Sequence, residues 1–291
     1  MKHTAQKNSI VNILYIPALI LFLVFVIYPL MRGVFLSFTN WNGYSQTYKM
    51  VGISNYTRMF ADPNFYRAFI NTIVYGLGST LLQNILGLAL AIYLNQKFRG
   101  KSIVRTIVYL PVMIAPLIMG YIMYFFVRYD AGAINDILIA LGASPVDWLA
   151  DGTRATIIMT LINSLQYVGI SMVIYLAGLQ NISEMYYEAA KVDGVNAWGQ
   201  FKYITLPLLM PAISSAIIIN LIGGLKLFDI IMALTSGGPG YDTHSLSTLV
   251  HRTYFGSENA GYASAIGFVT FVLILVVNRA VLHQLDKREI D

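Results

Sequence analysis

The chain contains no cysteine, and only 11% of its 291 residues are charged. The lack of cysteine excludes a disulfide framework, a thiolate metal site and a cysteine nucleophile. A soluble domain carries about 25% charged residues, so the shortage of charge excludes an ordinary water-soluble globule and indicates a membrane protein. No concentrated basic face accompanies the net charge of +5, which argues against nucleic acid as a partner.

Apolar sequence is abundant instead, because hydrophobic residues make up 57% of the chain and the mean hydropathy is +0.63. Six long windows contain no Asp, Glu, Lys or Arg. A helix needs about 20 apolar residues to cross the hydrocarbon core, since each residue rises about 1.5 Å. We therefore predict an all-α, polytopic membrane protein made of a single transmembrane domain, residues 1–291. Its six spans are predicted at about 10–31, 68–95, 106–127, 155–178, 207–230 and 261–282.

The orientation is predicted from the short loop between the second and third spans. Four basic residues fall within nine positions there: Lys97, Arg99, Lys101 and Arg105. Short basic loops stay in the cytoplasm, so alternation predicts that both termini and the 179–206 loop are cytoplasmic. The predicted external loops are 33–67, 128–154 and 235–258. Eleven of the 19 Lys and Arg residues then lie on the cytoplasmic side and seven on the external side, which agrees with this topology.

Two charged residues, Lys226 and Asp229, fall near the predicted external end of the fifth span. They are three positions apart and would share one face of a continuous helix. An ionisable residue within a span indicates function, but a structural ion pair, with Lys226 reaching outward, also explains them, and we favour it. The next turn, Gly237-Gly238-Pro239, lacks the Lys and Ser/Thr of a phosphate-binding loop. We interpret it as an external gate or docking turn.

The 179–206 loop has helix signals of its own. Asn181 with Glu184 has capping-box spacing, and Ser183 is an alternative cap. Gly194 stands where a helix needs a left-handed stop, and Asn196 is placed to cap a second short helix over 197–204. The pattern predicts two short helices around a glycine corner. They form either a docking surface for a partner or an amphipathic segment on lipid headgroups.

The same loop resembles the signature loop of bacterial ABC importer permeases, in which E-A-A-x-x-D-G precedes I-x-L-P at a fixed distance. The matching residues are Glu188, Ala189, Ala190, Asp193, Gly194, Ile204, Leu206 and Pro207. Flanking motifs such as Phe228-Asp229 and Gly261-Tyr262-Ala263 are similar to the sugar (maltose/glycerol-phosphate-type) branch of that family. The resemblance covers nearly the whole chain and implies the six-span, type I importer form.

The resemblance implies a set of partners. A second, non-identical permease would complete a heterodimer, two ATPase subunits would bind the 184–207 loop, and an extracellular solute-binding protein would deliver a sugar. ATP and Mg²⁺ would be bound by the ATPases, so the chain itself would be no enzyme and would need no cofactor or metal. The family also implies a multi-pass protein in contact with the lipid of the bacterial cell (inner or plasma) membrane.

Substrate is expected near the middle of the membrane, where transporters usually bind it. Polar residues of the fourth and fifth spans give our candidates for the substrate pathway: Gln166, Tyr167, Asn220 and Gly224. Amide and phenol groups suit a sugar, which needs hydrogen-bond partners and an aromatic face. Interhelical hydrogen bonding is the alternative explanation for such residues.

Three alternatives to a sugar permease remain open at this point. An ABC permease for a non-sugar solute would share the signature loop. A membrane-embedded enzyme would need paired acids, a metal cluster or a nucleophile–base pair within the spans. The four histidines instead lie near or beyond the span ends: His3, His244, His251 and His283. A stand-alone transporter or channel would not need the alanine-rich loop.

Overall fold

The computed structural model describes residues 15–287, which form an all-helical fold. Within that range no β-strand is present, apart from a single bridge between Thr39 and Met50. Five helices are long and apolar enough to cross a membrane, and a sixth span results if one bent pair of helices counts as one. The predicted start of the first span, residues 10–14, and both chain termini lie outside the described residues.

The helices follow the predicted windows closely. In chain order they are α1 (Tyr15–Leu36), α2 (Ser54–Ala61), α3 (Pro63–Asn95), α4 (Lys101–Met113), α5 (Pro116–Val127), α6 (Ala133–Ala140), α7 (Gly152–Gln180), α8 (Glu184–Val192), α9 (Ala197–Gln200), α10 (Met210–Leu225), α11 (Asp229–Leu234), α12 (Leu246–His251) and α13 (Ala260–Asp286). Helix α3 begins before the predicted 68, and α7 extends past both predicted ends.

The predicted third span, 106–127, is not one straight helix. Helices α4 and α5 meet at a bend of 102°. The residues between them, Ile114 and Ala115, are extended, with ψ of 131° and 134°. Ala115 precedes Pro116, and a residue before proline is pushed out of the helical region by the proline ring. The proline is also favoured as the first residue of the following helix, so the local sequence accounts for the break.

The chain divides into two compact units, and the first comprises the residues up to Asp62 together with Val250–Thr270. Polar contacts within this unit join residues that are distant in sequence. Asn55 Nδ2 donates to the carbonyls of Ser37 and Thr39 at 2.8 Å each. The Tyr262 hydroxyl donates to Asp62 at 3.1 Å. Helix α1 buries none of its most apolar window, so lipid or another subunit must cover it in a membrane.

The second unit, Pro63–Leu249 with 271–291, contains the tightest helix packing. Helices α3 and α7 approach so closely that a Cβ on Gly87 would lie 2.5 Å from Ser171 Cβ. Helix α10 packs on both, and a Cβ on Gly224 would lie 2.9 Å from Gly76 Cα. The apolar core at one end of these helices is completed by Ala91, Leu94, Met172, Tyr175, Leu176, Leu179, Leu209 and Ala216.

Candidate functional site

The first half of the 184–207 loop is helix α8. Ser183 caps it, because its Oγ accepts a hydrogen bond from Met185 N at 3.4 Å. Asn181 makes no such cap, so the predicted capping box is wrong and the alternative cap is present. After Asp193 the chain turns at Gly194, whose φ is +74°. A Cβ there would meet nothing within 4 Å, so glycine is needed for the left-handed backbone and not for space.

The second half begins at Asn196, whose Oδ1 accepts a hydrogen bond from Gly199 N at 2.8 Å. This confirms the predicted cap. Helix α9 ends at Gln200, earlier than predicted. The chain then continues as a π-helical turn, Phe201–Thr205, and a last short turn, Leu206–Leu208, before α10. Pro207 has no amide hydrogen, so it cannot supply the bond that would continue a regular helix through Tyr203.

The loop exposes an apolar surface around its small residues. Glu188 and Ala189 are exposed, whereas Ala190 is buried at 7%. Glu188 forms no ion pair with any residue of the described range. Large apolar side chains of the loop are also exposed: Met185, Tyr186, Val192, Trp198 and Tyr203. Apolar side chains with no cover from their own chain mark an interaction surface.

Within residues 15–287, one side-chain hydrogen bond joins α8 to the π-helical turn that precedes α10. The Tyr187 hydroxyl lies 3.0 Å from Thr205 Oγ1. Thr205 is buried, and its hydroxyl also lies 3.4 Å from the Gln200 carbonyl, to which it donates. Close behind it, Leu209 is fully buried and would contact any Cβ placed on Gly178, at 2.6 Å. The loop is therefore linked to the helix that follows it and, through that helix, to α7.

A cavity of about 250 Å³ lies where α3, α5, α7, α10 and α11 meet. Its lining residues are Gln83, Pro116, Asn163, Tyr167, Ile170, Ile219, Asn220, Gly223, Gly224, Lys226, Leu227, Phe228, Asp229 and Ile230. Three of the four predicted pathway residues, Tyr167, Asn220 and Gly224, line it. The fourth, Gln166, does not. Gln166 is buried, and its Nε2 donates to the Ile114 carbonyl at 3.2 Å, at the bend between α4 and α5.

The polar groups of the cavity are unequally satisfied. Asn220 Nδ2 donates to Ser171 Oγ at 2.6 Å, and Gln83 Nε2 donates to the Asn163 carbonyl at 3.1 Å. Gln83 Oε1 is buried and accepts no hydrogen bond from the described chain. The remaining polar side chains make none with any residue of 15–287 either: Asn163, Tyr167, Lys226 and Asp229. The cavity thus presents amide, phenol, ammonium and carboxylate groups that are free to bind a hydroxyl-rich molecule.

Residues 83–289 match the family described as the binding-protein-dependent transport system inner membrane component. The chain belongs to this family. Its members are transport permeases, so this chain is a permease and not an enzyme, and ATP hydrolysis belongs to partner subunits. The matched residues include both the 184–207 loop and the whole cavity lining.

Curated relatives and solved structures agree with the family. The permease is 35% identical to the trehalose/maltose transport system permease protein MalF of Thermococcus litoralis, over 94% of this chain and 92% of that protein. It is 36% identical to the multiple sugar-binding transport system permease protein MsmF of Streptococcus mutans, over 89% of each. Its fold matches a bacterial alginate ABC transporter, solved with an alginate pentasaccharide-bound periplasmic protein, at a TM-score of 0.81 and 26% identity. That match covers 96% of this chain and 94% of the other, and the fold is of the type I importer class.

The predicted ion pair between Lys226 and Asp229 is absent from the permease: within residues 15–287, the single salt bridge joins Arg67 and Asp242. The expected shared helix face is also wrong. Helix α10 ends at Leu225 and α11 begins at Asp229, so Lys226 lies in the break of three residues between the two helices. Both residues line the cavity instead. The position of Lys226 and Asp229 within the span also suggests a functional role, and that role stays a prediction.

The turn Gly237-Gly238-Pro239 is fastened to its surroundings. Gly237 has φ of +92°, and a Cβ on it would collide with the ring of His244. Thr243 Oγ1 donates to the Gly238 carbonyl at 2.7 Å, and Tyr75 of α3 donates to the Thr243 carbonyl at 2.9 Å. A second cavity, of about 570 Å³, includes Gly238 and Pro239 in its lining. A role as gate or docking turn stays a prediction.

The pathway candidates taken from the sequence do not include Gln83 or Asn163, although both residues line the cavity. A usable signal existed for each, since a strongly polar side chain within an otherwise apolar span indicates function or helix contact. The sequence does not show how α3 and α7 are aligned and rotated, and it is this packing that brings Gln83 beside Asn163.

Proposed function

We propose that this permease forms the membrane path of an ATP-driven, binding-protein-dependent importer for a sugar or oligosaccharide. The observation that carries the proposal is the cavity, whose unpaired Asn163, Tyr167, Lys226 and Asp229 side chains suit a ligand made of hydroxyl groups. Asn163 is the buried member of this set, and a buried polar group without a partner is costly, so a sugar hydroxyl would stabilise it. MalF and MsmF are named as sugar transport permeases, which supports the same substrate class.

The 184–207 loop is the proposed docking site for an ATPase subunit. Its exposed Met185, Trp198 and Tyr203 give apolar contact area, and Glu188 offers a carboxylate to a basic partner group. Aromatic residues and a few desolvated charges carry most of the binding energy of protein interfaces. ATP and Mg²⁺ would bind to the ATPases and not to this chain.

The full assembly we propose contains this permease, a second and non-identical permease, two ATPases and an extracellular solute-binding protein. The orientation follows the basic 97–105 loop, with the 184–207 loop and both termini in the cytoplasm of a bacterial cell. The exposed apolar surface of α1 supports contact with lipid or with the second permease.

The substrate half of the proposal is tested by uptake into proteoliposomes that contain the assembled transporter and its binding protein. Tyr167→Ala removes the aromatic face and hydroxyl from the cavity, and we expect the KM for sugar uptake to rise about tenfold, the equivalent of about 1.4 kcal/mol. Leu165→Ala is the matched control, since Leu165 is two residues away and 57% exposed outside the cavity.

An unchanged KM in Tyr167→Ala, or an equal rise in Leu165→Ala, would exclude this cavity as the sugar site. Uptake of an amino acid or peptide in place of every sugar tested would favour the non-sugar alternative within the same family.

The docking half is tested by charge reversal. Glu188→Lys should abolish ATP-dependent uptake while the protein stays in the membrane, because a repelled partner cannot engage the loop. Glu258→Lys reverses an exposed charge on a predicted external loop and should leave uptake intact. Normal uptake by Glu188→Lys contradicts docking at this surface.

A further inference from the structure

A groove of about 430 Å³ runs along α4 and shares no lining residue with the cavity or the loop described above. It is lined by Arg105, Thr106, Tyr109, Leu110, Met113 and Val173. Apart from the arginine, its walls are largely apolar, and Met113 and Leu110 are 79% and 52% exposed. Nothing in the described chain covers this face.

The Arg105 guanidinium at one end of the groove is unsatisfied. Its Nε is buried and has no hydrogen-bond partner, and Arg105 forms no ion pair with any residue of 15–287. Arg105 as a whole is only partly buried, but a buried N–H donor without an acceptor is itself unfavourable. An arginine fork is suited to the paired oxygens of a phosphate or carboxylate, so the geometry calls for an anion at this place.

The helix around Arg105 adds to the positive charge. Lys101 is the first residue of α4 and stands four positions before Arg105, on the same face. The first turn contains no acidic residue, and Gly100 provides no side-chain cap. A cation at a helix N-terminus opposes the helix dipole, whereas an anion there is stabilised by the free amide groups. Long helical side chains also lean toward the N-terminus, which directs Arg105 to Lys101.

The line Lys101, Arg105, Tyr109 and Met113 therefore changes from cationic to apolar along one helix face. The α-helical part, Lys101–Tyr109, rises about 12 Å, and the 3-10 turn that ends at Met113 adds about 8 Å. Together they exceed the roughly 15 Å of hydrocarbon in one leaflet. We propose that this groove binds an anionic phospholipid, with its phosphate at Arg105 and Lys101 and one acyl chain along Tyr109, Leu110 and Met113. Basic pockets at the ends of membrane helices bind anionic headgroups in this manner.

The proposal concerns lipid and does not depend on the transported substrate. It is tested on the transporter assembled with the subunits that purify with it, in nanodiscs of equal parts phosphatidylglycerol and phosphatidylcholine. Lipids that remain bound after transfer to detergent are counted by native mass spectrometry. The wild-type complex should retain phosphatidylglycerol in preference to phosphatidylcholine.

Arg105→Gln should lower the ratio of retained phosphatidylglycerol to phosphatidylcholine about fivefold, the factor that one cation contributes near an anionic membrane surface. Arg99→Gln is the matched control, because it removes the same charge from an exposed residue of the same basic loop that does not line the groove. Its ratio should equal that of the wild type.

A second variant keeps every charge. Val173→Phe fills the groove from α7 and should abolish preferential retention of phosphatidylglycerol, which also decides the matter if Arg105→Gln fails to assemble. An unchanged ratio in both variants overturns the proposal. An equal fall of the lipid ratio in Arg99→Gln also overturns it, because it would show attraction to the whole basic loop. A wild-type complex that retains no phosphatidylglycerol overturns it as well, because it would show that another subunit covers the groove.

Discussion

The hydrogen bond between Tyr187 and Thr205 offers the sharpest test of how the loop moves the membrane helices. Tyr187→Phe removes the hydroxyl and little else. A neutral, partly buried hydrogen bond is worth about 1 kcal/mol. Thr205 Oγ1 keeps its second partner, the Gln200 carbonyl, so no buried group is left unsatisfied and the free energy of unfolding should fall by no more than that amount.

The effect on coupling should exceed the effect on stability. If an ATPase docks on α8 as proposed, this bond would transmit a movement of α8 to the π-helical turn that leads into α10. Its loss changes the equilibrium between linked and independent movement by about fivefold, the factor that corresponds to about 1 kcal/mol. We therefore expect the number of sugar molecules imported per ATP hydrolysed to fall about fivefold, with ATP hydrolysis itself largely retained.

The assay measures uptake and phosphate release in the same proteoliposomes. Tyr186→Phe is the control, since Tyr186 is the adjacent residue, is 50% exposed and has a hydroxyl that makes no hydrogen bond within the described chain. Thr205→Val removes this bond together with the bond to the Gln200 carbonyl, so it should lower the ratio at least as far. Adding Tyr187→Phe to it should lower the ratio no further, because the bond between the two residues is already lost. An unchanged ratio in Tyr187→Phe, or a full second loss in the double variant, would refute this link.

Other predictions concern single contacts. Gly194→Ala should lower uptake without preventing membrane insertion, because alanine at φ +74° costs about 1 kcal/mol. Gly223→Ala should not alter the melting temperature, because nothing lies within 4 Å of the added Cβ. Gly224→Ala should lower that temperature by several degrees, since its Cβ would lie 2.6 Å from Ser79 Oγ; an unchanged value would contradict the close helix approach. Gln166→Leu should destabilise the permease by about 1–3 kcal/mol through the orphaned Ile114 carbonyl while the KM for sugar stays constant, and a raised KM would place Gln166 in the substrate path.

Much of the architecture is readable from the sequence because membrane helices obey a simple rule of length and charge. Within residues 15–287 the charge-poor windows are mostly helical. The turn at Gly194 and the cap at Asn196 are local features that neighbouring residues determine. The bend before Pro116 also had a local signal. Its angle did not, because that depends on how α4 and α5 pack on different helices.

The candidate site was predicted less completely, for a different physical reason. Spacing alone placed Lys226 and Asp229 on one helix face, but spacing is informative only while the helix continues, and α10 ends at Leu225, before both residues. Gln166 was assigned to substrate because it is an amide in the middle of a span. Its actual partner is a carbonyl 52 positions away, and no pattern in one sequence reports a contact of that kind.

The packing of α10 limits how the loop and the cavity can communicate. Gly178 lies against Leu209 near the loop, and Gly224 lies against Gly76 at the cavity, so α10 is in close contact with α7 at one end and with α3 at the other. Close-packed helices change position as units and do not deform continuously. A movement of α8 that is transmitted through the hydrogen bond of Tyr187 would therefore displace α3, α7 and α10 together. The wall of the cavity that contains Asn163, Tyr167 and Asn220 would move as one body against the wall formed by α5 and α11, and the break at 226–228 is where those two walls join.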